Sequence, residues 1–247
     1  MRLFVTSYQK SGTHQIIPAL GIMKDVVDRS LISATGIPER YGTARVRNEE
    51  GLVTTCGILQ SFDEKIFGHI PYNPEYAECV QARPTKVLFN VRDPRDIVVA
   101  NFYNINKIYF KGKYPGAKGN GHLNLQNKDG VLVVNSKDPI AELIEIEAGR
   151  WPHWLGWLQH DFVMKVKYED LRLHGVETLK KIAEFIAPYP LDYEAASGNL
   201  MPRQRNPTFR AGRVGDWKTE FSDKHKKLAE RLLGDTISKL GYEVICT

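Results

Sequence analysis

The sequence predicts an α/β fold, a central parallel sheet flanked by helices. Three observations carry that prediction. Short apolar runs alternate with stretches of helical spacing along the 247 residues. Several runs end directly in a turn that opens a helix, as βα units do. No internal repeat and no linker divides the chain, so residues 1–247 are expected to form a single domain.

Residues 3–8, the first element, are an apolar run that ends at Gln9-Lys10-Ser11-Gly12-Thr13. Ile16, Ile17, Leu20, Met23, Val26 and Val27 then fall at helical spacing. Pro18 is expected to kink this helix or confine its regular part to the residues after the proline. Residues 30–60 have no clean period and are left unassigned. Residues 65–70 read as a strand stopped by Pro71, and Asn73-Pro74-Glu75 as a capped helix start. Residues 86–91 (KVLFNV) are a strong strand, and Asp93-Pro94 supplies a cap and first-turn proline for the next helix. Residues 111–135, rich in Gly, Lys and Asn, read as a long loop. Helices are expected over 140–149, 151–159 and 176–187, with a strand at 162–166. Residues 201–219 are basic and irregular, and 222–240 form a closing helix capped by Ser222.

Composition narrows the function. The formal net charge is +5, but Lys and Arg are scattered rather than gathered on one face, which argues against nucleic acid as partner. A few arginines aimed at phosphates explain the same excess. Cys56, Cys79 and Cys246 are odd in number and widely spaced, giving neither a disulfide framework nor a zinc pattern. They are expected to be reduced thiols in a cytoplasmic protein. No run approaches the ~18 apolar residues of a membrane span. The apolar start is too short for a signal peptide.

Lys10-Ser11-Gly12-Thr13 lies where the first strand feeds the first helix. Amides at such a point favour anions, Lys10 adds a charge, and Ser11 and Thr13 add hydroxyls. The loop is no Walker A motif, because the glycine that should precede the Gly-Lys pair is absent. Alone, an ordinary capped turn accounts for it equally well. Three further segments stand behind it in fixed order: Arg92-Asp93-Pro94-Arg95-Asp96, Lys167-Tyr168-Glu169-Asp170-Leu171, and Phe209-Arg210-Ala211-Gly212-Arg213-Val214-Gly215-Asp216-Trp217-Lys218.

This ordered set resembles the sulfotransferases that use 3′-phosphoadenosine 5′-phosphosulfate (PAPS), from about residue 5 to residue 221. The resemblance implies a P-loop-kinase-like sulfotransferase fold. It also implies sulfuryl transfer from PAPS to a hydroxyl or amine of a small molecule, with 3′-phosphoadenosine 5′-phosphate (PAP) as product and no metal. Carried over residue by residue, Lys10, Ser11, Gly12, Thr13 and His14 fall in the 5′-phosphosulfate loop. Arg92 holds the 3′-phosphate, Tyr168 lies beside the adenine, and Arg210, Ala211 and Gly212 close over the 3′-phosphate. His69, in Gly68-His69-Ile70-Pro71, matches the catalytic histidine, and Lys10 stabilises the leaving phosphate. A neutral imidazole suits proton removal near neutral pH. The chain departs from the family pattern at several positions. Gln9 replaces a proline, and His14-Gln15 replaces a threonine and the tryptophan that packs on adenine. Ala100 replaces a serine, Gly68 stands near a usual lysine, and Ala211 stands where a basic residue is common.

The residues leave bland alternatives open. Arg92 also has good spacing for an ion pair with Asp96, and Trp217 reads as a packing anchor. Phe67, Ile70, Tyr72, Phe102, Tyr103 and Trp151 suit core as well as an acceptor pocket, and residues 111–135 suit a lid. The alternative functions are a nucleotide kinase-like phosphotransferase and a non-catalytic 3′-phosphoadenosine-nucleotide-binding protein. No membrane partner is expected, and the oligomeric state is monomer or homodimer.

Overall fold

The computed structural model describes residues 1–21, 45–48, 51–61, 64–110, 126–128, 131–133, 138–200 and 212–244. The element order is β1 (Arg2–Ser7), α1 (Thr13–Ala19), β2 (Arg45–Asn48), β3 (Gly51–Thr54), α2 (Thr55–Ser61), β4 (Lys65–Gly68), α3 (Pro74–Gln81), β5 (Thr85–Val91), α4 (Pro94–Phe110), β6 (Gln126–Lys128), β7 (Val131–Val133), α5 (Pro139–Arg150), α6 (Pro152–Leu155), β8 (Val163–Lys167), α7 (Tyr168–Leu173), α8 (Gly175–Ile186), α9 (Tyr193–Ser197), α10 (Trp217–Glu220) and α11 (Asp223–Lys239). The chain folds as two compact units, Met1–Arg92 with His153–Asn206 and Asp93–Pro152 with Pro207–Thr247.

The first unit holds a four-stranded sheet in the order β4-β1-β5-β8, parallel throughout. Helices cover both faces, as a parallel sheet requires. Alternate residues Leu3, Val5, Phe67, Leu88 and Val166 point to one face and pack with Ile16 and Ile17 of α1 and Leu179, Ile182 and Ile186 of α8. On the other face, Phe4 meets Trp157 edge-on at 5.8 Å and Phe89 stacks on Trp154 at 6.1 Å. In the second unit α4 packs on α5, α10 and α11, and α5 packs on α11.

Most predicted elements are present. Asn73 caps α3 by accepting from the Glu75 amide, and Ser222 caps α11 in a capping box with His225. α1 runs over Thr13–Ala19 with Pro18 inside it, and the predicted continuation through Met23, Val26 and Val27 lies outside the described residues. The unassigned stretch contains the antiparallel β2–β3 pair and α2. The predicted loop at 111–135 contains the β6–β7 pair, and the rest of it lies outside the described residues.

The cysteine expectation needs correction. Cys56 in α2 and Cys79 in α3 are disulfide-bonded, with Cα atoms 5.6 Å apart. That separation lies within the usual range of about 4.4–6.8 Å. Spacing in sequence hides the pair because only the packing of α2 on α3 brings the two together. Cys246 lies outside the described residues. Among the described residues, no helix is long and apolar enough to cross a membrane.

Arg2 ties this unit together at its first strand. It is buried, and its guanidinium donates to the carbonyl oxygens of Leu59, Gln60 and Val80 and to Thr85 Oγ1. These bonds join β1 to α2, α3 and the start of β5. Hydrogen bonds to a charged group contribute ~1.5–3 kcal/mol, and buried acceptors left alone cost more. Replacing Arg2 by Met is therefore expected to lower stability by about 3 kcal/mol, measured as a lower urea midpoint at unchanged m-value.

Candidate active site

Four parallel strands end at one edge, and each runs into a residue singled out from the sequence. Past β4 stands His69, past β1 the Lys10–Thr13 loop, past β5 Arg92, and past β8 Tyr168. The chain passes from β4 over β1 to β5, so the strand order switches direction beside β1. In open α/β sheets the carboxyl edge at such a switch is where ligands bind.

The loop after β1 is held from below. The Asn90 carbonyl accepts from the Tyr8 amide at 3.1 Å and from Ser11 Oγ at 3.0 Å, and Asn90 Nδ2 donates to the Ser11 carbonyl at 2.8 Å. Ser7 Oγ lies 2.6 Å from Thr13 Oγ1 and 2.9 Å from Ser11 Oγ. Ser11 is fully buried, so its hydroxyl shapes the turn from inside. Two residues of the loop take left-handed backbone, Lys10 at φ 65° and Gly12 at φ 84°. Glycine is required at the second. A Cβ there would stand 2.2 Å from Tyr168 Cδ2, well inside van der Waals contact.

The same tyrosine ring carries Arg92 on its face, with the guanidinium carbon 4.5 Å from the ring centroid. Arg92 Nη1 also approaches the Lys10 carbonyl at 3.5 Å. Gly12, Tyr168, Arg92 and Lys10 thus form one contiguous group. Burial lowers the Lys10 ammonium to a pKa of about 8, because the charged form loses hydration. Gln15 is buried beside this group, and among the described residues its Oε1 has no hydrogen-bond partner.

His69 is half-buried, edge-on to Phe67 at 5.2 Å. Its Nδ1 lies 2.5 Å from the Ser7 carbonyl oxygen. A carbonyl only accepts, so Nδ1 carries the hydrogen, and Nε2 of the neutral ring holds the lone pair. The backbone of β1 therefore sets both the orientation and the tautomer of this histidine. Ile70 and Tyr72 serve the core: the Ile70 carbonyl accepts from Trp157 Nε1 and from Thr6 Oγ1, and the Tyr72 ring fills the space over Gly156.

In the second unit, Asp93 accepts from the Arg95 amide at 2.9 Å and caps α4 as predicted. Its carboxylate also takes Arg95 Nε and Nη2, and the Arg95 guanidinium lies 3.8 Å over the buried Trp217 ring. Trp217 is a packing anchor, as its sequence setting suggests. Asp96 accepts at 2.8 Å from the Gly215 amide and at 3.1 Å from the Trp217 amide. Gly212 takes φ 62°. Tyr103 donates to Glu220 Oε1 at 2.8 Å, and Trp151 is fully buried. Arg210, Ala211 and the side chain of His14 lie outside the described residues.

Sequence reasoning missed Asn90 and Asp96. Asn90 carried a signal, a fully buried amide inside the apolar KVLFNV strand. Asp96 carried none, because its partners are backbone amides far along the chain.

The parallel α/β sheet thus carries a left-handed loop, a stacked arginine and an oriented histidine at its carboxyl edge. The sulfotransferase domain model matches residues 1–241. Mouse (Mus musculus) Sulfotransferase 2A1 is 24% identical over 89% of this chain and 78% of its own length. A flavonol sulfotransferase-like protein of Flaveria bidentis is 23% identical over 70% of this chain and 60% of its own length. Among solved structures, mouse sulfotransferase SULT7A1 complexed with PAP aligns over 96% of this chain and 83% of its own, at 20% identity and TM-score 0.61. Retinol dehydratase in complex with retinol and PAP aligns over 98% and 84%, at 17% identity and TM-score 0.58. The chain belongs to the sulfotransferase domain family and is a sulfuryl-transfer enzyme.

The Gly12 cradle gives a direct test. Gly12→Ala adds a clash with Tyr168 and a left-handed penalty of ~1–2 kcal/mol. Sulfuryl transfer is expected to fall more than tenfold. Gly149→Ala, where nothing lies within 4 Å of the added Cβ, is the control expected to keep wild-type turnover.

Proposed function

We propose that residues 1–247 act as one sulfotransferase domain that moves a sulfuryl group from PAPS to a hydroxyl or amine of a small molecule, releasing PAP. The observation that supports this reading most strongly is the convergence of Lys10, Gly12, Arg92 and Tyr168 at one sheet edge. The residues present fit the donor nucleotide. The loop is pre-bent, and a stacked guanidinium stands next to it. The five-residue run Lys10–His14 would hold the 5′-phosphosulfate. Arg92, Arg210, Ala211 and Gly212 would hold the 3′-phosphate, and Tyr168 the adenine. PAPS supplies an activated sulfuryl group whose leaving group is the 5′-phosphate of PAP.

The chain's own part is placement and charge. Lys10 stands ready to neutralise charge that grows on the leaving phosphate, an interaction stronger in the transition state than before it. His69 Nε2 takes the acceptor's proton while Nδ1 stays on the Ser7 carbonyl. The acceptor in this reading is small and polar, neither nucleic acid nor a membrane is a partner, and the enzyme acts as monomer or homodimer. A cytoplasmic setting belongs to the same reading.

His69→Ala is expected to lower transfer to a high-pKa alcohol at least a hundredfold, given the ~10²–10⁴-fold worth of a positioned base. Transfer to an acidic phenol, ionised before it binds, is expected to lose far less at the same pH, with PAP affinity within a few-fold of wild type. Equal losses for both acceptors would make His69 a positioning group.

Lys10 gives a pH test. In the free enzyme its pKa is about 8, below the ordinary 10.5, so the unfolded chain binds more protons between those values. This group's share of stability therefore rises with pH across that window. An anion beside Lys10 favours the ammonium. PAP binding is therefore expected to take up a proton above pH 8 and to weaken as pH rises further. Calorimetry in buffers of different ionisation enthalpy measures that uptake, and Lys10→Met is expected to abolish it.

A further inference from the structure

We infer that Thr6 and Trp157 are positioning residues for the His69 ring, acting through the backbone carbonyl of Ile70. The consequence for turnover rests on the reading that makes His69 the base. β4 ends at Gly68, and the chain from His69 to Asn73 belongs to no strand or helix. Pro71 has no backbone N–H and restricts Ile70 before it, so the ladder does not resume there. The buried Ile70 carbonyl therefore takes its donors from side chains. Thr6 Oγ1 donates to it at 2.8 Å and Trp157 Nε1 at 3.1 Å.

Two neighbours on β1 thus hold two neighbours in the histidine segment. The Ser7 carbonyl accepts from His69 Nδ1, and Thr6 donates to the carbonyl of the residue after His69. The first bond orients the ring, and the second fixes the main chain that carries it. If the main chain shifts, the ring keeps its bond to Ser7 only by turning, and Nε2 moves. Both donors are themselves set by packing. Thr6 and Trp157 are fully buried, and the Trp157 ring meets Phe4 at 5.8 Å and Tyr72 at 5.5 Å, edge-on to each. Beyond Pro71 the Tyr72 amide donates to the His153 carbonyl at 2.7 Å, which ties down the far end of the segment. All of these residues belong to the first unit. Strand alternation puts Thr6 on the sheet face opposite Ser7, whose hydroxyl meets Ser11 and Thr13 of the phosphate loop. A change in the Thr6 side chain is therefore felt by the histidine rather than by that loop.

Thr6→Val is the sharp variant, because valine keeps the branched shape and removes the donor. Turnover is compared for a high-pKa alcohol and for an acidic phenol that is ionised before it binds. Imidazole nitrogen resonances, with those of His69 assigned by their loss in His69→Ala, give the rate at which the Nδ1 proton exchanges with water. In Thr6→Val, kcat for the alcohol is expected to fall about tenfold and for the phenol less than about twofold, with PAPS KM within about twofold of wild type. The His69 Nδ1 proton is expected to exchange about tenfold faster or more, since its bond to Ser7 is held less firmly. Thr6→Ser keeps the hydroxyl and is expected to stay within about threefold of wild type in every readout. Trp157→Phe keeps an aromatic ring, removes the second donor, and is expected to show the same split; it carries the test if Thr6→Val does not fold. Unchanged proton exchange in Thr6→Val overturns the inference, as does a loss in Thr6→Ser as large as in Thr6→Val. His69→Ala keeps the two failures apart. If it lowers both acceptors equally, the base reading fails, and proton exchange alone decides whether Thr6 and Trp157 place the ring. If it separates the acceptors while Thr6→Val does not, the positioning inference is refuted and the base reading stands.

Discussion

Parallel pairing is the constraint on which this molecule rests. β1 lies between β4 and β5 with the chain running the same way in all three, and β8 continues the pattern. Parallel strands deliver their carboxyl ends to one edge, so residues remote in sequence arrive together without any long-range pairing of their own. The sheet is buried on both faces, so its register is fixed by apolar contacts that have nothing to do with chemistry. The edge inherits that rigidity.

Polar groups inside the first unit serve the same end. Asn90 and Arg2 sit where an apolar residue would be simpler. Each binds backbone carbonyl oxygens that would otherwise be buried without donors. Asn90 fixes the turn after β1, and Arg2 anchors the strand that leads into it. The Ser7 carbonyl then orients His69, so one short strand sets the geometry of both the loop and the candidate base. Such a site is prepared by the scaffold before any ligand arrives.

How much of this was legible varied with the physics involved. The strands at β1, β5 and β8 and the capped helices α3 and α11 announce themselves through apolar runs, cap residues and prolines, which are local signals. The β2–β3 pair does not, because short antiparallel strands outside the main core need little periodicity. The Cys56–Cys79 bond was hidden for a related reason, since only helix packing brings the sulfurs together. At the candidate site, Lys10, Gly12, Arg92, Tyr168 and His69 stand out as a set through the family resemblance that their ordered motifs carry. Their mutual contacts were not legible. Nor were the roles of Asn90 and Asp96, whose partners are backbone groups that carry no residue identity.

Tyr168 and Gly12 share one volume. The ring occupies the space a side chain at position 12 would need, and it also carries the guanidinium of Arg92. These positions therefore cannot drift independently over evolutionary time. A larger residue at 12 is admissible only after the ring at 168 shrinks or withdraws, and either change strips the flat surface from under Arg92. The order of events is constrained as well, because the change at 168 must come first. In lineages where the stack at 92 and 168 is kept, glycine at 12 is locked in by a neighbour rather than by its own backbone angle alone.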